Sequence, residues 1–226
     1  MPDIELKNRS IRSFVRRSGR LTPSQKNAIE HYWQFYGIES CAQPIELPTG
    51  FTSLKLEIGI GNGDALIAMA SADTQSLYIG IEVHEPGIGR CLNNIHKLQL
   101  SNIRLVCSDA VEVLTQMIKP ASLDRLLLFF PDPWHKKRHH KRRIVNQQFR
   151  DLISNALKPG AVFHAATDWE NYAEHIAGEF LGDPRFNNCG DSQGYTECPE
   201  YRPLTKFEAR GRRLGHGVWD LMFALK

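Results

Sequence analysis

Acidic residues stand at the ends of four successive segments that have the apolar composition of buried strands. They are Glu57, Glu82, Asp109 and Asp132. In a sheet of parallel strands, ligands bind beyond the carboxyl ends of the strands, so these carboxylates are expected near one another. Each acid alone is more often a loop or helix-capping residue, but the set of four predicts a ligand site. Asp168 follows a fifth such segment and is also placed to cap the next helix.

Glycine recurs at every second position just after the first of these segments. Gly59, Gly61 and Gly63 suit a tight turn from a strand into a helix, where the backbone can approach a ligand. The fingerprint of dinucleotide-binding proteins requires glycine where this chain has Asp64. Asp64 and Glu57 would also repel a pyrophosphate. The turn therefore favours a cofactor with a cationic amine or sulfonium over a dinucleotide.

The next two acids are placed to bind the nucleoside part of such a cofactor. Glu82 lies nineteen residues beyond Gly63, where a carboxylate can accept hydrogen bonds from two ribose hydroxyls. Proteins that bind nicotinamide dinucleotides and proteins that bind S-adenosylmethionine share this feature. Asp109, at the end of the third strand-like segment, would reach an adenine amino group.

Nine consecutive Lys, Arg or His residues occupy positions 135–143, just beyond the fourth acid. Two prolines flank that acid and would end strand pairing, because proline has no backbone N–H to donate. A charge run by itself is typical of a solvated, flexible loop. The net charge of the chain is +3, yet residues 1–20, 135–143 and 202–213 carry +4, +6 and +4, which leaves −11 for the remainder. If these basic segments converge in the fold, they form a surface for a polyanion.

Alternating strand-like and helix-like segments would position these residues. Such alternation predicts an α/β fold with a mostly parallel, doubly wound sheet. The strand-like segments are 54–58, 77–83, 103–107, 123–130 and 161–166, with a short one near 184–189 and a last one at 217–225. The helix-like segments are about 64–71, 86–99, 110–118, 144–157 and 169–181, of which the fourth is closed by Lys158-Pro159-Gly160.

A further helix is predicted to begin at Pro23, with Thr22 as its N-cap and Gln25 completing a capping box. Residues 1–20 are basic and low in apolar content, which predicts either a mobile arm or an arm that orders on a partner. Residues 21–226 are then expected to form a single domain.

The composition also bears on location and on metal binding. The longest apolar runs are about five residues, too short for a membrane span, and the N-terminus lacks the apolar segment of a signal peptide. We therefore expect a cytoplasmic protein without membrane contact. The five cysteines are widely spaced and include no C-x-x-C pair, so neither a disulfide framework nor a zinc site is indicated, and we expect no metal.

Five short motifs can be compared with those of known enzymes. They are Glu57-Ile58-Gly59-Ile60-Gly61-Asn62-Gly63, Gly80-Ile81-Glu82-Val83-His84, Phe130-Pro131-Asp132-Pro133-Trp134-His135-Lys136, Thr167-Asp168-Trp169-Glu170 and Thr205-Lys206-Phe207-Glu208-Ala209-Arg210-Gly211. Together they resemble the motifs of the bacterial tRNA (guanine-N7)-methyltransferases, the TrmB family, and the match runs from about Arg12 to the C-terminus. The third and fifth motifs are specific to that family within a broader methyltransferase fold.

The resemblance implies a class I, Rossmann-like methyltransferase sheet of seven strands, the last of them antiparallel. It also implies methyl transfer from S-adenosylmethionine to N7 of a guanosine in tRNA, usually position 46 in the variable loop. Carried over by position, the cofactor contacts are Glu57, Gly59, Gly61, Gly63, Glu82, Asp109 and Asp132. The residues that would hold the guanosine and nearby RNA are Lys136, Asp168, Thr205, Lys206, Phe207 and Glu208. Those that would contact phosphates are Arg138, Lys141, Arg142 and Arg143. The oligomeric state is left open, with a monomer slightly favoured.

Methylation of guanine N7 needs no base, because N7 already carries a lone pair. The main requirement is alignment of N7, the methyl carbon and the sulfur. We expect Asp132 to be the catalytic residue, either by stabilising positive charge on the purine or by holding the guanine N1–H and amino edge, with Asp168 as second candidate. One alternative is a non-catalytic RNA-binding protein on a methyltransferase fold, which the glycine turn and strand-end acids disfavour. The other is a nucleotide-dependent oxidoreductase, which Asp64 disfavours.

Overall fold

The computed structural model describes residues 13–14, 19–204, 208 and 217–226. Helices pack on both faces of one sheet in this part of the chain. The strands are β1 (Gly37–Ile38), β2 (Ser53–Ile58), β3 (Ser76–Ile81), β4 (Ile103–Val106), β5 (Leu123–Phe129), β6 (Leu157–Thr167), β7 (Phe186–Asn188), β8 (Tyr195–Thr196) and β9 (Trp219–Leu225). The helices are α1 (Pro23–Tyr36), α2 (Asp64–Ala72), α3 (Glu85–Lys97), α4 (Ala110–Gln116), α5 (Gln147–Ala156) and α6 (Glu170–Leu181), with a 3₁₀ helix at Lys137–Arg142.

The strand order is β1-β4-β3-β2-β5-β6-β9-β7, and β8 also pairs with β9. The pairs from β1 to β6 are parallel, whereas β9 runs antiparallel to β6. The predicted doubly wound, mostly parallel sheet with an antiparallel last strand is therefore confirmed. The described residues hold nine strands rather than seven, because β1 and β8 add two residues each at the margins. The chain switches direction across the sheet between β2 and β5, which opens a crevice at the carboxyl ends of those strands.

Successive residues of the central strands face opposite sides of the sheet and fill two apolar layers. Leu126 and Phe163 pack in the layer that includes α4, α5 and α6. Leu127 packs with Leu66 of α2 and Ile88 of α3 in the other layer. All five are almost completely buried, and burial of each such side chain contributes about 1.5–3 kcal/mol. The two layers fix the strand ends that carry the predicted site.

Two predicted boundaries around β6 were wrong. Helix α5 begins at Gln147 rather than near residue 144, because Asn146 caps it by accepting a hydrogen bond from the Phe149 N–H at 3.1 Å. Lys158-Pro159-Gly160 does not close this helix but forms an irregularity inside β6, between the pairing of Leu157 with Leu123 and that of Val162 with Arg125. Gly160 adopts φ +79°, which glycine tolerates without a steric cost.

Helix α1 begins as predicted and packs against α3. The capping box at its start is complete: the Gln25 N–H donates to Thr22 Oγ1 at 3.3 Å, and the Thr22 N–H donates to Gln25 Oε1 at 2.8 Å. The rings of Tyr32 and His96 stack 3.9 Å apart between the two helices. Of the predicted arm, only residues 13–14 and 19–20 lie within the described part of the chain. No helix among the described residues is long and apolar enough to cross a membrane.

Candidate active site

The glycine turn leaves β2 in a left-handed backbone conformation and enters α2. Gly59, Gly61 and Gly63 have φ values of +73°, +55° and +79°. A Cβ at Gly59 or Gly61 would meet nothing within 4 Å, so conformation alone favours glycine there. At Gly63 a Cβ would also lie 2.2 Å from the Sγ atom of Cys91 on α3. The turn therefore combines an unusual backbone with close packing of two helices.

Glu82 follows β3 and holds the glycine turn in place. One carboxylate oxygen accepts from the Gly61 N–H at 2.8 Å, and the other accepts from the N–H groups of Val83 and His84 at 2.8 and 3.0 Å. A carboxylate has about four acceptor positions, so these bonds leave capacity for further donors. Glu82 also lines the cavity described below. Its position is consistent with the predicted contact to ribose hydroxyls.

Glu57 lies beneath the turn as a buried acid. Its side chain does not line the cavity, and the residue is only 3% exposed. Burial, followed by the nearby negative charge of Glu82, raises its pKa from 4.5 to about 8. Its Oε2 atom accepts no hydrogen bond among the described residues. A buried acceptor of this kind fits a cofactor that brings a positive charge, as the sulfonium and amino group of S-adenosylmethionine do.

Asp109 lies between β4 and α4 and caps the helix. Its carboxylate accepts from the Val111 N–H at 2.8 Å and so caps α4. The residues on either side of it, Ser108 and Ala110, line the cavity instead. Neither was identified from sequence, because a serine and an alanine after a strand carry no chemical signature. The predicted adenine contact of Asp109 stays a prediction.

A cavity of about 290 Å³ opens at the carboxyl ends of β2, β3 and β5. Among the predicted site residues, Gly59, Glu82 and Asp132 line it. The volume is close to the lower end of the range for small-molecule sites. Ser13 and Phe14, from the predicted N-terminal arm, contribute to the same lining. The crevice expected from the strand order is thus a formed pocket that includes part of the arm.

Asp132 stands at this cavity in a loop with an unusual backbone. It is exposed, and its carboxylate makes no hydrogen bond or ion pair with any described residue. Phe130 and Trp134, two residues to either side, both have φ +50°, a left-handed conformation that bulky residues rarely adopt. Such strain costs about 1–3 kcal/mol per residue and persists where surrounding contacts impose it. Here the Phe130 N–H donates to the carbonyl of Ala166 on β6 at 2.7 Å.

Asp168 leaves the same edge of the sheet as Asp132. The two strands that precede these acids are parallel neighbours, with Phe129 paired to Ala166. Asp168 is half-buried and makes no side-chain hydrogen bond within the described residues. Helix α6 instead begins after Trp169, whose N–H donates to Thr167 Oγ1 at 3.2 Å. The capping role considered for Asp168 is therefore not observed.

The basic run forms the 3₁₀ helix rather than an irregular loop. Lys136, Arg138 and Lys141 are exposed there. Arg142 is half-buried, with its guanidinium carbon 4.8 Å from the centre of the Trp134 ring. The same indole donates its Nε1–H to the Ser13 carbonyl at 3.2 Å. The run, the cavity rim and the N-terminal segment are thus in contact.

Arg143 does not belong to this exposed group, which corrects its predicted contact with RNA phosphate. It is 3% exposed, and its guanidinium donates to the Pro133 carbonyl at 3.0 Å and to Asn171 Oδ1 at 2.9 Å. It also packs 4.7 Å from the centre of the Tyr172 ring. Arg143 therefore ties the Asp132 loop to α6.

Glu208 is likewise buried, at 1% exposure, so its side chain is not presented to a substrate as predicted. Its carboxylate accepts from both terminal nitrogens of Arg202, one of them at 3.1 Å. The other predicted substrate residues of this motif, Thr205, Lys206 and Phe207, lie outside the described residues. Across the described part of the chain, no group of His, Cys, Asp and Glu could hold a metal ion.

Comparison with known proteins agrees with this geometry. Residues 52–221 match a family described as "Putative methyltransferase". A tRNA (guanine-N(7)-)-methyltransferase of Yersinia pestis (strain Pestoides F) is 53% identical over 221 residues, covering 96% of this chain and 92% of that protein. The enzyme of the same name from Edwardsiella ictaluri (strain 93-146) is 53% identical over 218 residues, covering 95% and 92%.

Solved structures show the same fold at much lower sequence identity. The 16S rRNA methyltransferase KamB superimposes with a TM-score of 0.53 at 14% identity, covering 78% of this chain and 89% of that one. An aminoglycoside resistance methyltransferase superimposes with a TM-score of 0.51 at 12% identity, covering 92% and 95%. These structures support the methyltransferase fold, and the full-length relatives identify the family. This chain belongs to the tRNA (guanine-N7)-methyltransferase family, the TrmB family of class I methyltransferases.

Proposed function

We propose that this protein transfers the methyl group of S-adenosylmethionine to N7 of a guanosine in tRNA, at position 46 in the variable loop. The observation that carries the proposal is the placement of Asp132. This exposed carboxylate has no partner in the described part of the chain, lines the strand-end cavity and lies a few residues before the basic 3₁₀ helix. It therefore stands between a small-molecule site and a cationic surface.

Three features of the strand ends support the cofactor assignment. The glycine turn brings backbone to the cavity, and Glu82 retains acceptor capacity for ribose hydroxyls. Glu57 supplies a buried acceptor that matches a cation. When bound, S-adenosylmethionine supplies an electrophilic methyl group on a sulfonium. The chain's own task is to orient that group and to exclude water around it.

Asp132 has the freedom and the position to act on the purine. Attack by N7 leaves positive charge on the guanine ring, and a nearby carboxylate lowers the energy of that charge. The same carboxylate can instead accept hydrogen bonds from the N1–H and amino group of guanine. Asp168 is the second candidate for either role, because it follows the neighbouring strand and has no side-chain partner within the described residues.

The RNA contacts are assigned to the exposed cations of the basic run. Lys136, Arg138 and Lys141 present their charges to solvent, and Arg142 is held against Trp134 at the cavity rim. Phosphate contacts of this kind position the nucleic acid and make binding depend on salt. Thr205, Lys206 and Phe207 are proposed to hold the guanosine on the basis of their motif alone. The enzyme is proposed to act in the cytoplasm, where tRNA is its partner.

The test incubates the protein with labelled S-adenosylmethionine and bulk unmodified tRNA, then locates the modified base by borohydride and aniline cleavage. We expect cleavage at position 46, and we expect Asp132→Asn to lower turnover by about 100-fold or more. Glu30→Gln removes a surface acid that pairs with Lys26 on α1 and serves as the matched control. Cleavage at another position refutes the site assignment, and near-normal turnover of Asp132→Asn removes that residue from catalysis. Absence of S-adenosylmethionine binding in calorimetry would instead indicate a non-catalytic RNA-binding protein.

A further inference from the structure

One buried cation joins the two stretches of chain that carry Asp132 and Asp168. The guanidinium of Arg143 donates from Nε to the Pro133 carbonyl at 3.0 Å, one residue after Asp132. Its terminal nitrogens donate to Asn171, at 3.4 Å to the backbone carbonyl and at 2.9 Å to Oδ1, three residues after Asp168. Arg143 therefore bonds to the chain just beyond each of the two acids proposed to act on the purine.

The same two stretches of chain meet at two further points. The rings of His135 and Trp169 are perpendicular, with their centres 4.2 Å apart. Nε2 of His175 on α6 donates to the Val145 carbonyl at 2.8 Å. Of these contacts, the bond from Arg143 is the one nearest to Asp132 along the chain.

The position of the Asp132 carboxylate depends on the backbone that carries it. The side chain makes no hydrogen bond or ion pair with any described residue, so no such contact holds it in place. The Pro133 carbonyl belongs to the peptide group that leads into Trp134, which has φ +50°. This conformation is unfavourable for a bulky residue and persists where surrounding contacts impose it. The bond from Arg143 is one of those contacts.

Burial of Arg143 is costly, and its contacts show what the cation achieves. The residue is 3% exposed, and within the described part of the chain no carboxylate forms an ion pair with it. Only neutral acceptors and the Tyr172 ring, 4.7 Å away, offset the loss of hydration. An apolar side chain would fill the space at lower cost. It could not donate to both stretches of chain at once, whereas the donors of a guanidinium point in fixed, forked directions.

We infer that Arg143 is a positioning residue for Asp132. It fixes the peptide that follows Asp132 against the start of α6. It thereby determines where that carboxylate stands relative to Asp168, which precedes the same helix. Arg143 acts on the reaction without touching the substrate. The inference rests on the proposed role of Asp132 in methyl transfer.

The experiment compares Arg143→Met, Arg143→Lys and a matched control, Arg150→Met. Arg150 also bonds to the α6 region, through Glu179 at 3.0 Å and Asp183 at 2.7 Å, but it lies on α5 and does not line the cavity. Each variant is assayed for Tm and for the Kd of S-adenosylmethionine by calorimetry. The Kd of unmodified tRNA is measured across a salt series, and kcat is measured at saturating tRNA well below the Tm.

A positioning role predicts a selective loss of turnover. Arg143→Met should lower kcat by about 100-fold, the scale of a misplacement of about 1 Å. The Kd of S-adenosylmethionine and the salt slope of tRNA binding should stay unchanged. Arg143→Lys keeps the charge but loses the forked geometry, so its loss of kcat should be intermediate. Arg150→Met should lower the Tm as Arg143→Met does and retain normal kcat.

A double-mutant cycle tests whether Arg143 acts through Asp132. Arg143→Met is introduced into the Asp132→Asn variant, and kcat of the double variant is compared with that of each single variant. If Arg143 serves to place the Asp132 carboxylate, the double variant should turn over at about the rate of Asp132→Asn alone. Independent effects would instead multiply, to a loss of about 10,000-fold. A multiplicative loss would overturn the inference.

Three other results would also overturn it. One is an unchanged kcat in Arg143→Met, or in Arg143→Lys if the Met variant does not fold. Another is a parallel loss of cofactor binding and turnover, which would indicate a general structural role. The third is a reduced salt slope, which would indicate a phosphate contact.

The single variants separate failure of this inference from failure of the proposed function. Slow turnover of Asp132→Asn beside normal turnover of Arg143→Met refutes the inference and leaves the proposed function intact. Near-normal turnover of Asp132→Asn refutes the catalytic role of Asp132 and, with it, the premise of the inference. Modification of tRNA at a position other than 46 refutes the site assignment alone, because the ratio of variant to wild-type rates still tests Arg143.

Discussion

We expect Glu57→Gln to change the pH dependence of the free energy of unfolding. The direction of the change follows from the burial of Glu57. In the folded protein the pKa of this carboxyl is about 8, whereas its ordinary value is 4.5. Between these values the folded state keeps a proton that the unfolded state releases. The contribution of Glu57 to stability is therefore fully present below pH 4.5 and is lost as the pH rises through 8.

The size of the effect follows from the same two pKa values. Their difference corresponds to about 5 kcal/mol over the whole window. Glutamine stays neutral at every pH and has nearly the same shape. The free energy of unfolding of wild-type protein should therefore fall relative to that of Glu57→Gln by about 1.4 kcal/mol per pH unit through the middle of the window. Urea unfolding of both proteins in steps across this range measures the difference.

A cationic cofactor should oppose this trend. S-adenosylmethionine favours the ionised carboxylate, so its binding near neutral pH should release a proton from wild-type protein. Calorimetry in buffers of different ionisation enthalpy detects that proton, and Glu57→Gln should release none from this site. Parallel unfolding free energies of the two proteins from pH 5 to 8 would refute the assigned pKa. Equal proton release by the two proteins would show that the cofactor's charge is matched elsewhere.

Two further predictions compare substitutions at exposed positions with substitutions at buried positions. Arg138→Gln and Lys141→Gln should each weaken tRNA binding and reduce the slope of log K against log salt by about 1, measured by filter binding across a salt series. Arg143→Gln should instead lower the Tm and leave the salt slope unchanged. A reduced slope in this variant would show that Arg143 contacts the RNA. Gly63→Ala should lower the free energy of unfolding by about 2–5 kcal/mol in urea unfolding. The alanine would adopt an unfavourable left-handed backbone conformation, and its Cβ would also clash with the buried thiol of Cys91. Gly160 has the same φ, but a Cβ there would meet no other atom, so Gly160→Ala should lower the free energy of unfolding by only about 1–2 kcal/mol. Equal losses of stability at the two positions would contradict this packing argument.

The order of the central elements could be predicted from the sequence because local patterns determine it. Apolar runs separated by amphipathic segments predict a parallel sheet wherever they occur, and the capping box at Thr22 is complete within four residues. The glycine turn was predictable for the same reason, since left-handed φ values leave few other residue types. Strands of two residues, such as β1 and β8, contain too few positions to show a pattern.

The environment of individual charged side chains could not be predicted in this way. Arg143 and Arg142 are neighbours in a basic run, yet one is buried against Asn171 and the other packs on Trp134. The partner that buries Arg143 is 28 residues away along the chain. Glu208 is buried against Arg202, which also donates to Asp220 on β9, and these contacts are set by the tertiary fold. The type of a charged residue predicts that its side chain can bind a ligand. Only its neighbours in the fold determine whether other side chains already balance its charge.

The position of β9 within the sheet also constrains how the enzyme is made. This strand is formed by the last residues of the chain, yet it lies between β6 and β7 and is the strand with which β7 pairs. Because synthesis proceeds from the N-terminus, β7 cannot pair within the sheet until β9, which follows it in the chain, has left the ribosome. Asp220, which accepts a hydrogen bond from Arg202, lies on β9 and emerges with it. A nascent chain that has already made β2 to β6 and the basic 3₁₀ helix therefore still lacks the strand that covers the outer edge of β6.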